Sequence, residues 1–141
     1  MGKGDFRVER ADDVPLGNSE DVVRLRQAVR ERAIGLGFSL VDQTKVVTAA
    51  SELGRNTVQH GGGGQASIEV VVNGTRRGLR LSFRDQGPGI ADINQALQDG
   101  FTTGKGMGLG LSGSRRLSDE FSIESTPGVG TTVVIIRWKP F

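Results

Sequence analysis

Residues 67 to 84 constrain the fold of this chain more than any other stretch. Ile68, Val70 and Val72 alternate with Ser67, Glu69 and Val71, and Asn73-Gly74 begins a turn. Leu79, Leu81 and Phe83 then alternate with Arg80, Ser82 and Arg84. Period-two alternation on both sides of an Asn-Gly pair predicts a β-hairpin with one apolar face. That face has to be buried against another layer.

The segments before the hairpin supply helices. Asn18-Ser19-Glu20-Asp21 has the form of a helix start, a cap residue followed by acids in the first turn. Val22, Leu25, Ala28, Val29 and Ala33 follow at helical spacing, and the helix stops near Gly35 or Gly37. Ser39 caps a second helix whose stripe is Val46, Ala50, Leu53 and Thr57, and the glycines at 61–64 end it. Phe6 to Arg10 alternates as a first edge strand. After the hairpin the pattern predicts a short helix over 92–98, a loop over 100–110 and a helix over 111–117. A strand opened by Phe121 and Ile123 follows, then a turn over 126–130 and a last strand over 131–138. With neither a repeat nor a boundary, residues 1–141 are expected to form one α+β domain. It would be a two-layer α/β sandwich, with a mixed, mostly antiparallel sheet and helices on one face.

Composition removes several functions. At 141 residues the chain suits one domain with a real core. It has no cysteine, which excludes disulfides, thiolate metal sites and a cysteine nucleophile. No apolar run approaches the ~18 residues of a membrane span, and Met1 to Asp5 does not resemble a signal peptide. The expectation is therefore a cytoplasmic protein that does not enter membranes. Basic and acidic residues number 18 and 16 and are interspersed, with six Phe, one Trp and no Tyr. Neither a basic block nor a stacking platform is present, so no nucleic-acid partner is expected. Glycine is the outlier at 22 residues, clustered at 61–64 and 104–113.

Three polar signatures lie in order between residues 52 and 113. In Glu52-Leu53-Gly54-Arg55-Asn56, Glu52 and Asn56 are four apart on the second helix, so they stand one above the other beside its apolar stripe. A carboxylate can take a proton from a nucleophile, and an amide oxygen suits magnesium. The same two residues are also commonplace on a solvated helix face. In Asp85-Gln86-Gly87-Pro88-Gly89-Ile90, a carboxylate at a strand end could accept from an exocyclic amine such as adenine N6, and Gly87 and Gly89 allow a flat ring close approach. The segment is equally a good turn with no ligand. Glycines at 104, 106, 108, 110 and 113 lead into the 111–117 helix, where backbone N–H groups attract phosphate, and Lys105 adds charge. The spacing is neither that of a Walker loop nor that of a Rossmann loop. His60, the single histidine, is expected to be structural.

Together the three motifs resemble the N, G1 and G2 boxes of the GHKL superfamily (gyrase, Hsp90, histidine kinase, MutL), which binds ATP in the Bergerat fold. Ser51-Glu52-Leu53-Gly54-Arg55-Asn56, Asp85 to Ile90, Asp99-Gly100-Phe101-Thr102-Thr103 and Arg116 to Phe121 are closest to the anti-sigma-factor serine/threonine kinases of the RsbT type. The resemblance runs over residues 5–139. It implies ATP and Mg2+ as cofactors, with Glu52 as the catalytic base and Asn56 as the metal ligand. Asp85 would bond the adenine amine, with Gly87 and Gly89 beside the ring. Lys105, Gly106, Gly108, Leu109 and Gly110 would form a lid over the phosphates, and Thr131 would help seat adenine through water. It further implies a switch kinase of the stressosome that phosphorylates STAS-domain proteins and activates a PP2C-type phosphatase. The alternative is an anti-sigma factor that sequesters a sigma subunit and phosphorylates its STAS antagonist.

Overall fold

The computed structural model describes residues 6–98 and 111–140. In chain order the elements are β1 (Arg7–Leu16), α1 (Ser19–Gly35), α2 (Leu40–Gln59), β2 (Gly64–Asn73) and β3 (Arg76–Asp85). They continue with α3 (Ile93–Ala96), α4 (Leu111–Arg116), β4 (Glu120–Thr126) and β5 (Gly130–Trp138). The five strands form one sheet in the order β1-β2-β3-β5-β4. The sheet expected to be mixed and mostly antiparallel is antiparallel in all four pairings.

The hairpin is the centre of this sheet. β2 and β3 pair from Gly64↔Asp85 to Asn73↔Arg76, which makes Gly74-Thr75 the loop. Ile68, Leu79, Leu81 and Phe83 lie on one face with Val133 and Ile135 of β5. They are covered by Leu25 and Val29 of α1 and by Val46, Ala50 and Leu53 of α2. Alternation sends Val71, Ile136 and Trp138 to the opposite face, where Phe6 meets the Trp138 ring edge-on at 5.1 Å. The Trp138 indole N–H donates to Glu120 at 2.8 Å.

β1 extends six residues beyond the alternation that marked it. Residues 11–16 carry two acids and a proline, poor strand formers by composition. They pair with β2 nonetheless, through Ala11↔Glu69 to Leu16↔Gly64. β1 is an edge strand, so Pro15, which lacks an N–H, fits there.

Both helix starts follow the cap chemistry of the sequence. The Asn18 side chain accepts the Asp21 N–H at 2.9 Å, and the Ser39 hydroxyl accepts the Asp42 N–H at 3.1 Å. Gly54 lets α1 approach α2, since a Cβ there would lie 2.9 Å from Leu25 Cδ2. Asp42 joins the start of α2 to β5 through an ion pair with Arg137 at 2.7 Å, with both side chains 13% exposed. Arg137 also donates to the Leu117 carbonyl at 3.0 Å. The Arg137 guanidinium therefore holds the Asp42 carboxyl below its ordinary value of 3.8, against the opposing effect of burial. No described helix is long and apolar enough to cross a membrane.

Candidate functional site

A cleft opens between the C-terminal half of α2 and the ends of β3 and β5. Leu53, Asn56 and Thr57 line it from α2, Phe83 and Asp85 from β3, and Thr131 and Val133 from β5. Pro88, Gly89 and Ile90 form one wall, His60 and Gly61 another, and Leu111 stands at the start of α4. The lining is largely apolar with a few convergent polar groups, the usual make-up of a small-molecule site.

Asp85 occupies the last position of the central strand, between its register partners Gly64 and Thr131. It is half-buried, and its Oδ1 accepts the Gly87 N–H at 2.9 Å. That bond makes the local turn, so Asp85 shapes the chain and also presents a carboxylate to the cleft. Two glycines fix the surroundings. Gly61 lies directly against the carboxyl, where a Cβ would come within 2.6 Å of Asp85 Oδ2. Gly89 adopts φ +77°, and a Cβ there would lie 2.5 Å from the Thr126 carbonyl oxygen.

Ser125 of β4 organises the opposite side. Its Oγ accepts the Ile90 N–H at 2.7 Å, lies 2.8 Å from Thr131 Oγ1 and donates to the Gly130 carbonyl at 3.2 Å. This hydroxyl pair ties the Pro88–Ile90 wall to β5 and fixes Thr131.

Asn56, Asp85, Gly89 and Thr131 of the expected site thus converge on one cleft. Gly87 sits behind Asp85. Glu52 does not line the cleft; it lies about one helical turn before Asn56 on α2, half-buried, in an ion pair with Arg55 at 3.0 Å. Lys105, Gly106, Gly108, Leu109 and Gly110, with the expected lid, lie outside the described residues. His60 caps α2, donating its N–H to the Asn56 carbonyl at 2.9 Å, and also faces the cleft. Gly61 and Ser125 were not singled out from sequence. The glycine run after His60 signalled only a helix end, and a lone serine in a strand carries no signal at all.

The donor set bears on magnesium. Among the described residues no group of three His, Asp or Glu side chains could hold a metal. Asn56 offers one neutral amide oxygen at the cleft. That fits a hard cation held mainly by phosphates and water rather than by a protein cage.

The sequence profile of the "Histidine kinase-, DNA gyrase B-, and HSP90-like ATPase" family matches residues 41–140. The chain belongs to this ATPase family. The match takes in every element lining the cleft. Among relatives, the "Serine/threonine-protein kinase RsbT" of Bacillus subtilis (strain 168) is 48% identical over 118 residues, spanning 84% of this chain and 89% of the relative. An "Anti-sigma F factor" of Bacillus licheniformis is 34% identical over 99 residues, spanning 67% of this chain and 68% of the relative. The solved RsbU and RsbW domains of a Mycobacterium tuberculosis protein superpose with a TM-score of 0.65 at 21% identity. They cover 93% of this chain, which spans only 33% of that one, and the likeness is one of fold.

Proposed function

We propose that this chain is an ATP-dependent protein serine/threonine kinase of the RsbT type. It phosphorylates STAS-domain partners and changes partner in a stress-signalling pathway, activating a PP2C-type phosphatase. The observation that carries the reading is the convergence of Asp85, Asn56 and Thr131 on one cleft, with Glu52 about one helical turn before Asn56. The 48% identity to a named serine/threonine kinase over most of both chains supports it.

Each residue has one task. Asp85 accepts from the adenine amine, with Gly89 and Ile90 against the ring and Thr131 beside it. Phe83, Leu53 and Val133 give the ring an apolar bed and exclude water from it. Asn56 would hold Mg2+ with the phosphates, and the ion would offset the negative charge that builds up there. Lys105, Gly106, Gly108, Leu109 and Gly110 would enclose the phosphates. Glu52 takes the proton from a serine or threonine hydroxyl as that oxygen attacks the γ-phosphorus. The bond from the γ-phosphorus to the bridging oxygen breaks, and ADP leaves with that electron pair.

Glu52→Ala tests the assignment. It should leave ATP binding intact and slow phosphoryl transfer by roughly 10²–10⁴. Transfer at the wild-type rate would remove Glu52 from the mechanism. The 34% identity to an anti-sigma F factor favours a second reading, a sigma-sequestering kinase. A pull-down separates the two, since one retains a sigma factor and the other a STAS protein and a phosphatase.

A further inference from the structure

The cleft residues account for nucleotide binding but not for the ion pair of Arg55 with Glu52 on α2. Glu52 is the residue from which the reaction would take its base, and its carboxylate is already held. Arg55 Nη2 donates to Glu52 Oε1 at 3.0 Å and to Ser51 Oγ at 3.0 Å. Ser51 is buried, so one of these two bonds fastens the guanidinium to the body of α2. We infer that Arg55 is a positioning residue for phosphoryl transfer, holding the Glu52 carboxylate about one helical turn before Asn56. The inference rests on the reading of Glu52 as the base.

Helical geometry places the four side chains in a definite order. At about 100° per residue, the sequence around α2 is Ser51, Arg55, Glu52, Asn56, with Leu53 and Thr57 beyond. Asn56, Leu53 and Thr57 line the cleft. Arg55 therefore grips Glu52 from the side away from the nucleotide. It engages Oε1 and leaves Oε2 to accept a proton. A glutamate this exposed, at 37%, would otherwise sample several rotamers, and transfer depends on a base fixed within a fraction of an ångström of its proton. The arginine is itself 48% exposed, so its loss opens no cavity in the core.

The test compares Arg55→Ala, Arg55→Lys, Glu52→Ala and the double variant. Each is assayed with radiolabelled ATP and a purified STAS-domain protein from the same organism. Arg55→Ala should lower kcat by about tenfold to a hundredfold. The KM for the STAS protein and the calorimetric affinity for ATP should stay within about twofold of wild type. Arg55→Lys, which keeps the charge on a flexible stem, should restore part of the rate. The double variant should be no slower than Glu52→Ala alone, because Arg55 acts through Glu52.

Five results would overturn the inference. A faster Arg55→Ala would mean that the pair restrains the base instead of placing it. A raised KM with kcat unchanged would make Arg55 a partner contact. Multiplied losses in the double variant would mean that Arg55 acts independently of Glu52. Wild-type kcat in Arg55→Ala beside a slow Glu52→Ala would remove Arg55 and leave the base in place. A wild-type rate in Glu52→Ala would instead strike the base itself, and the inference with it.

Discussion

Asp85 combines two duties in one side chain. Its Oδ1 closes the turn to Gly87, and its carboxyl rests on Gly61 at the mouth of the cleft. Asp85→Asn keeps the size of the side chain and removes the charge. It should weaken ATP binding by about tenfold or more, the equivalent of about 1.5–3 kcal/mol for a charge-assisted hydrogen bond. Unchanged affinity by calorimetry would end the assignment. Gly61→Ala approaches the same residue from behind. The added Cβ would come within 2.4 Å of the Asp85 carboxyl carbon, so the carboxylate has to move. An affinity loss comparable to that of Asp85→Asn, with circular dichroism unaltered, is the expected outcome. At this scale the sequence disclosed polar groups that line the cleft and hid those that hold them. Asp85, Asn56 and Thr131 stand in recognisable motifs. Gly61 and Ser125 make contacts with residues distant in sequence, Ser125 with Ile90 and Gly61 with Asp85, which no local pattern discloses.

The elements differ in how openly they declared themselves. α1 and α2 were legible because Asn18 and Ser39 cap them and their apolar positions recur at helical spacing. The first strand was half legible. Its pairing past Arg10 comes from the β2 backbone rather than from any alternation of its own. The direction of the pairings was open in the sequence, since strand order depends on long connections that leave no local pattern. Asp42 and Arg137 fasten α2 to β5 across 95 residues. Asp42→Ala should destabilise the fold by about 2–3 kcal/mol, because it also leaves Arg137 without its carboxylate in a half-buried place. The pH dependence has a definite sign. Asp42 titrates below its ordinary 3.8 in the folded chain, with Arg137 as the main cause. Asp21 is also lowered, chiefly by the Gly17 N–H and then by Arg24. Both contributions are complete above the unfolded value and vanish as pH falls through the folded ones. Denaturant midpoints should therefore drop below about pH 4, and by less in Asp42→Ala. Equal acid sensitivity in the two proteins would contradict the role given to this pair.

At the scale of the molecule, one layer of helices on an antiparallel sheet leaves a cleft where α2 meets the ends of β3 and β5. The cleft draws on both layers, so its ligand should bind the folded chain and not the unfolded one. ATP at about a hundred times its Kd should add about 2.7 kcal/mol of stability, which for a chain of this size raises Tm by roughly 8 °C. Asp85→Asn at the same ATP concentration should show much less of that shift. The fold class was readable because the helix stripes and the alternating hairpin demand each other. The partners were not, since composition and spacing say nothing about which surface another protein covers. The family includes histidine kinases as well as other ATPases, so the chemistry of the phosphorylated product discriminates most sharply. Wild-type protein is incubated with radiolabelled ATP and a STAS-domain protein, and the label is located by mass spectrometry after acid treatment. The expected result is acid-stable label on a serine or threonine of the STAS protein, lost in Glu52→Ala. Acid-labile label on a histidine, or no transfer at all from a protein that binds ATP, would contradict it.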